Sequence, residues 1–404
     1  MRTHQPWAFA LVLGLLWGMM VILPLPLAGA EERCAELSHS TNPPGPPDSE
    51  LAAAHRFSQG EGITVAVIDT GVHPHPRLGE VIGGGDLVGE GDGTEDCDRH
   101  GTIVAGIIGA RPDPGHDDIV GIAPGARILS IRQTSSTHRD AAGTLASMAT
   151  AINEAVDKGA RVINLSVVAC LSPTQNERVD HTPLDAALAH AEERDVVVVA
   201  AAGNASQGCS PGDVVYPAHA DTVVGVSALT PEGRIANYSL PGPDLLAAPG
   251  HVARGLSPVG DPRPAEGVLT DEGVRSWEGT SFATPVVSGI AALLRSRYPH
   301  ESAAQIRHRL ASSALPATGE ITPLAALTHL PGPTRVEDEA ARPVRLAAQP
   351  VVDTSPRRRS LQLCALLAGV GVGGWVLNGA IRSIGRRGRA NPPNPTSRRH
   401  RPGR

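Results

Sequence analysis

Three short stretches carry the residue types of nucleophilic hydrolysis. Val67-Ile68-Asp69-Thr70-Gly71 offers a carboxylate, His100-Gly101-Thr102-Ile103-Val104-Ala105-Gly106 an imidazole, and Gly279-Thr280-Ser281-Phe282-Ala283-Thr284-Pro285 a hydroxyl. A serine hydroxyl is a weak nucleophile until a base takes its proton. A histidine does this when a carboxylate fixes its tautomer and stabilises the imidazolium. Ser281 is therefore the candidate nucleophile, His100 the general base and Asp69 the group that orients it. A fourth stretch, Ala201-Ala202-Gly203-Asn204, places an asparagine just after an apolar run. Alone, each has a plainer reading: a helix-capping serine, a turn aspartate, a turn asparagine. The order Asp, His, Ser and the flanking residues favour catalysis.

These residues need elements that bring them together. Apolar runs at 63–68, 126–132, 161–168, 196–202 and 223–229 read as buried parallel strands. Helical segments at 101–110, 143–158 and 183–193 alternate with them, and 283–294 reads as an apolar helix opening just after Ser281. Pro285 then falls in that helix's first turn, where no N–H is needed. The fold class is α/β, a parallel sheet with helices on both faces. Catalytic residues of such a sheet gather at the carboxyl ends of its strands, where Asp69 and Asn204 fall. Residues 230–278, rich in Pro and Gly, read as surface loops.

The ends of the chain carry topology signals. Residues 1–30 have a basic start, an apolar run and Ala28-Gly29-Ala30 before Glu31, the pattern of a secretory signal peptide; an uncleaved anchor is the competing reading. An N-terminal extension, 31–60, leads into a catalytic domain at 61–330, and a Pro/Ala/Arg-rich linker covers 331–359. Residues 360–381 are uncharged, long enough for one transmembrane helix across a bilayer core of about 30 Å. A basic tail, 382–404, has eight arginines and no acidic residue, which places it in the cytoplasm. Between the ends, residues 31–356 hold 23 basic against 41 acidic residues, a net charge of −18, which argues against nucleic acid.

Five cysteines occur, with Cys364 inside the apolar run. Cys34, Cys97, Cys170 and Cys209 allow three pairings. Cys170 and Cys209 each follow a predicted strand and can meet if those strands are neighbours, leaving Cys34 for Cys97. Asp92, Glu95, Asp96 and Asp98 form an acidic run, read as a solvated loop rather than a Ca²⁺ site. His73 and His75 read as loop residues. No phosphate-binding loop, zinc spacing or other metal motif is present, so no cofactor or metal is expected.

The three motifs, in their order, resemble those of the subtilisin-like serine proteases. That resemblance implies a subtilisin-like fold, acyl-enzyme hydrolysis of protein or peptide substrates, and an oxyanion hole of Asn204 and Ser281. It also implies a substrate-binding wall. Asn164-Leu165-Ser166-Val167-Val168 stands where the family usually has a strand ending in Ser-Leu-Gly. Ser166, Val167 and Val168 would then flank the pocket for the residue before the scissile bond (P1), with Ala202 and Gly203 opposite. Val168 in place of the usual Gly should narrow that pocket. More narrowly, the chain is similar to the mycosins, membrane-anchored subtilases of mycobacterial type VII (ESX) secretion systems. The shared features are the signal peptide, Asp96-Cys97-Asp98-Arg99-His100-Gly101-Thr102, Ile128-Leu129-Ser130-Ile131-Arg132-Gln133, the exported cysteines and the C-terminal span. This implies a single-pass protease facing the periplasm or cell wall and associated with an ESX membrane complex. An alternative is a structural subunit of that complex with dispensable protease activity. Only 38 residues, 31–68, precede Asp69, too few for a folding-assisting propeptide domain, so the extension is expected to wrap the domain.

Overall fold

Continuous runs of Val, Ile, Leu and Ala cannot leave one face in water, and here they build a sheet buried on both sides. The computed structural model describes residues 34–330, apart from 138–142, 206–207 and 258–262, together with Ser360, Leu363, Cys364 and Leu367. The sheet holds β2 (Thr64–Asp69), β3 (Val81–Asp86), β4 (Arg127–Arg132), β5 (Val162–Leu165), β7 (Val197–Ala201), β9 (Val223–Leu229) and β10 (Leu246–Pro249). Its order is β10-β9-β7-β5-β2-β4-β3, and every pairing is parallel. All six residues of β2 are buried, with Val65 paired to Ile128 on one side and Val162 on the other.

Side chains of a strand alternate between faces, and the core divides accordingly. Val65, Val67, Val162, Val197, Val199 and Val226 pack with Ile103, Val104, Phe282, Val287 and Ile290. Those partners come from α2 (His100–Gly109) and α6 (Thr280–Arg297). Ala66, Ile68, Leu129, Ile163, Leu165, Val198 and Ala200 face the other way, onto Met148, Ile152, Leu184 and Leu188. These belong to α3 (Leu145–Asp157) and α5 (Thr182–Glu193). Each predicted strand and helix is present, with ends moved by up to three residues. The run at 161–168 is the exception in kind: β5 stops at Leu165, and β6 (Ala169–Leu171) pairs antiparallel with β8 (Val214–Tyr216).

Residues 230–278 are not merely loops. They contain β10, which extends the main sheet, and a hairpin of β12 (Ala265–Thr270) and β13 (Gly273–Glu278). The hairpin is completed by β11 (His251–Val252) on one side and by β1 (Leu37–His39) of the N-terminal extension on the other. Its hydrogen-bond partner thus lies more than two hundred residues away in sequence, beyond any local pattern. The extension continues into α1 (Ser49–Ala54), capped by the Asp48 side chain, which packs on α8 (Pro323–Thr328). The remaining helices are the four-residue α4 (Pro173–Asn176) and α7 (Ala303–Ser313). The expected signal peptide, the whole of the expected linker, most of the expected span, and the tail lie outside the described residues. Ser360, Leu363, Cys364 and Leu367 are helical and exposed, and among the described residues no helix is long and apolar enough to cross a membrane.

Candidate active site

β2, β5 and β7 lie side by side, so their carboxyl ends are neighbours. Asp69 ends β2, Ser166 follows β5, and Ala202-Gly203-Asn204 follows β7. The Asp69 side chain is fully buried, and its Oδ1 lies 2.6 Å from His100 Nδ1. The Thr70 N–H donates to the same oxygen at 2.8 Å. His100 opens α2. Gly101 follows because a Cβ there would lie 1.9 Å from the Gly71 carbonyl oxygen. Burial pulls the imidazole pKa down. The Asp69 charge and hydrogen bond, with Asp96 and Asp98 behind, outweigh it and hold His100 above its ordinary 6.5. The Phe282 ring packs against the imidazole, centroids 5.0 Å apart.

Ser281 is the second residue of α6, where free backbone N–H groups favour an anion. Its Oγ donates to the Ser166 carbonyl oxygen at 2.9 Å. Without substrate, the hydrogen bond from nucleophile to base is often long or poorly aligned, and it tightens in the substrate complex. The helix begins earlier than the apolar run suggested, so Pro285 is its sixth residue and not in the first turn. A residue there would normally donate its N–H to the Ser281 carbonyl. Proline cannot, and the Ser166 hydroxyl donates to that oxygen instead, at 2.8 Å. Ser166 is held in turn by Asn164 Nδ2 at 2.9 Å, and Asn164 by the Ser288 hydroxyl at 2.8 Å.

Asn204 stands beside this helix start. Its Oδ1 accepts from the Thr280 N–H at 3.0 Å and the Thr280 hydroxyl at 3.1 Å, which commits the amide nitrogen to the other side as a donor. Gly279, with φ +152°, leaves room: a Cβ there would stand 3.1 Å from Asn204 Nδ2. Val167 and Val168 are half-buried on the segment after Ser166. Gly203 has φ +88° and donates its N–H to the Thr280 hydroxyl. Ala202, expected to border the substrate, is fully buried. Both disulfides form as expected, Cys34–Cys97 and Cys170–Cys209.

The acidic run departs from expectation at two of its four residues, since Asp92 and Glu95 are exposed. Asp96 and Asp98 are buried, not solvated. Asp96 accepts hydrogen bonds from Thr70 and Thr102, and Asp98 from Ser135 and Ser136. No group of three or more His, Cys, Asp or Glu among the described residues is placed to hold a metal ion. Sequence reasoning thus missed Asp96, Thr70, Thr102, Thr280 and Phe282. A usable signal existed for the threonines, since each lies within two residues of a catalytic candidate: Thr70 and Thr102 just after one, Thr280 just before one.

Residues 60–345 match the subtilase family. Mycosin-1 of Mycobacterium tuberculosis is 38% identical over 364 residues, spanning 79% of this chain and 80% of its own length. This chain belongs to the mycosins, within the subtilase family. As a mycosin it is a serine endopeptidase. The crystal structure of MycP1 from the ESX-1 type VII secretion system superposes with a TM-score of 0.68 at 35% identity, covering 75% of this chain and 92% of that one. A chain in the structure of an intact ESX-5 inner membrane complex gives a TM-score of 0.68 at 33% identity, covering 86% of this chain and 94% of that one.

Proposed function

We propose that this mycosin is exported by its N-terminal signal, held in the membrane by residues 360–381 with its protease domain outside, and associated with a type VII secretion complex. Asp69, His100 and Ser281 form the triad. Ser281 attacks the scissile carbonyl as His100 takes its proton, Asp69 stabilises the imidazolium, and Asn204 with the Ser281 N–H receives the oxyanion. His100 then returns the proton to the leaving amine, and water resolves the acyl-enzyme by the same steps. The substrate backbone lies along Ser166, Val167 and Val168, with Gly203 opposite. The observation that carries the catalytic reading is the 2.6 Å contact of a fully buried Asp69 with His100, on a sheet edge that also presents Ser281 and Asn204. The secretion role rests on the relative found within an ESX inner membrane complex and on the chain's own export and anchor signals.

The test is a Ser281→Ala chain expressed in a strain lacking the native gene, with substrate cleavage and protein secretion scored separately. Cleavage should vanish while the chain accumulates at wild-type level in the membrane fraction. Persisting cleavage would remove Ser281 from its role. A soluble, unanchored chain would remove the topology.

A further inference from the structure

Asp96 lies four residues before His100, 3% exposed, and touches neither substrate nor the reacting atoms. Its two carboxylate oxygens face two different catalytic segments. Oδ1 accepts from the Thr70 hydroxyl at 2.8 Å, next to Asp69. Oδ2 accepts from the Thr102 hydroxyl at 2.6 Å and the Thr102 N–H at 2.8 Å, two residues past His100. Each threonine oxygen in turn accepts a backbone N–H from the opposite segment. Thr70 receives Gly101 N–H at 3.0 Å, and Thr102 receives His73 N–H at 2.9 Å. A hydroxyl has one proton. With that proton given to Asp96, each threonine is free to accept across the gap. The carboxylate therefore polarises two reciprocal bridges between the loop after β2 and the start of α2.

We infer that Asp96 is a positioning residue of the protease: its carboxylate cross-braces the segments carrying Asp69 and His100, and places a second negative charge behind the imidazolium. The inference rests on the triad reading above.

Asp69, Asp98, His73 and Arg99 are the other ionisable groups around it. Arg99 donates from Nη1 to the Asp96 backbone oxygen, in a left-handed conformation just before His100. Burial pushes the Asp96 carboxyl up to about 6, partly offset by the threonine hydrogen bonds and reinforced by the Asp69 charge. It is thus ionised at neutral pH. A proton added to it would make Thr70 an acceptor on that side and swing the Thr70 hydroxyl proton toward Asp69 Oδ1, 3.3 Å away, loosening the brace. Asparagine has the same shape, removes the charge, and through its NH₂ would impose the same reversal on the Thr70 hydroxyl.

The experiment measures the rate at which a fluorophosphonate reagent modifies Ser281 in the purified full-length chain, across about pH 5–9. Asp96→Asn should lower the plateau rate by about tenfold or more and move the acid limb down by roughly half a pH unit, because a charge favouring the imidazolium is gone. A plateau within about twofold of wild type, with an unmoved limb, would overturn the inference. Should Asp96→Asn fail to fold, Thr102→Val removes one bridge and leaves the charge. Its plateau should drop by about tenfold and Thr102→Ser should restore it, whereas Val and Ser variants matching wild type would overturn the inference. An unlabelled, folded wild type would instead sink the triad reading. A labelled wild type with unaffected variants removes only the role of Asp96.

Discussion

Val168 is the residue through which this chain should differ from many subtilases. It stands half-buried on the wall after Ser166, at a position where a glycine would leave room for a large P1 side chain. Under the proposed substrate wall, the valine methyl groups would take up part of that space. One methylene of misfit changes kcat/KM by about 1–3 kcal/mol, tenfold or more. A peptide-library cleavage profile should therefore favour Ala or Ser over Phe or Tyr at P1, and Val168→Gly should widen it. An aromatic preference unchanged in Val168→Gly would show that this wall does not set specificity. The catalytic residues themselves were legible because each sits in a stretch whose neighbours also have a job: Gly101 permits close approach, and Thr280 holds Asn204. The Ser281 rotamer was not legible, since it depends on the Ser166 carbonyl, brought in by another strand.

At the scale of elements, the start of α6 shows how a proline is accommodated without breaking a helix. Pro285 withholds the N–H that the Ser281 carbonyl would receive, and Ser166 supplies a hydroxyl in its place. Leaving a buried carbonyl unpaired costs about 1–3 kcal/mol. Ser166→Ala should therefore lower stability by about that amount, read by thermal or denaturant unfolding. In a Pro285→Ala background the backbone N–H returns, and the loss on Ser166→Ala should shrink to well under half. An equal loss in both backgrounds would mean that the two residues are not coupled. The five predicted strands were legible because continuous Val/Ile runs have few other uses. β3 was not, because Gly83, Gly84 and Gly85 erase its apolar pattern. The β12–β13 hairpin was hidden for another reason: its partner β1 comes from the opposite end of the domain.

For the whole molecule, the N-terminal extension is built into the domain beside the site. It adds β1 to the outer sheet, packs α1 on α8, and is tied by Cys34 to Cys97, the residue next to Asp96. That bond closes 63 residues, worth about 4 kcal/mol in the chain-entropy account. The expected wrapping was legible from the short distance to Asp69 and the lone Cys34. The burial of Asp96 and Asp98 was not, because an acidic run reads as solvated until remote hydroxyls are known to face it. The central claim is that Asp69, His100, Ser281 and Asn204 form one working site on this domain. Fluorophosphonate labelling of the purified full-length chain, with the adduct located by peptide mass spectrometry, tests it most directly. The adduct should fall on Ser281 alone, vanish in Ser281→Ala, and fall steeply in His100→Ala. Its rate should rise with pH through a limb above 6.5, since the base must be neutral and Asp69 holds its imidazolium. A folded wild type that takes no label, or takes it on another residue, would contradict the account.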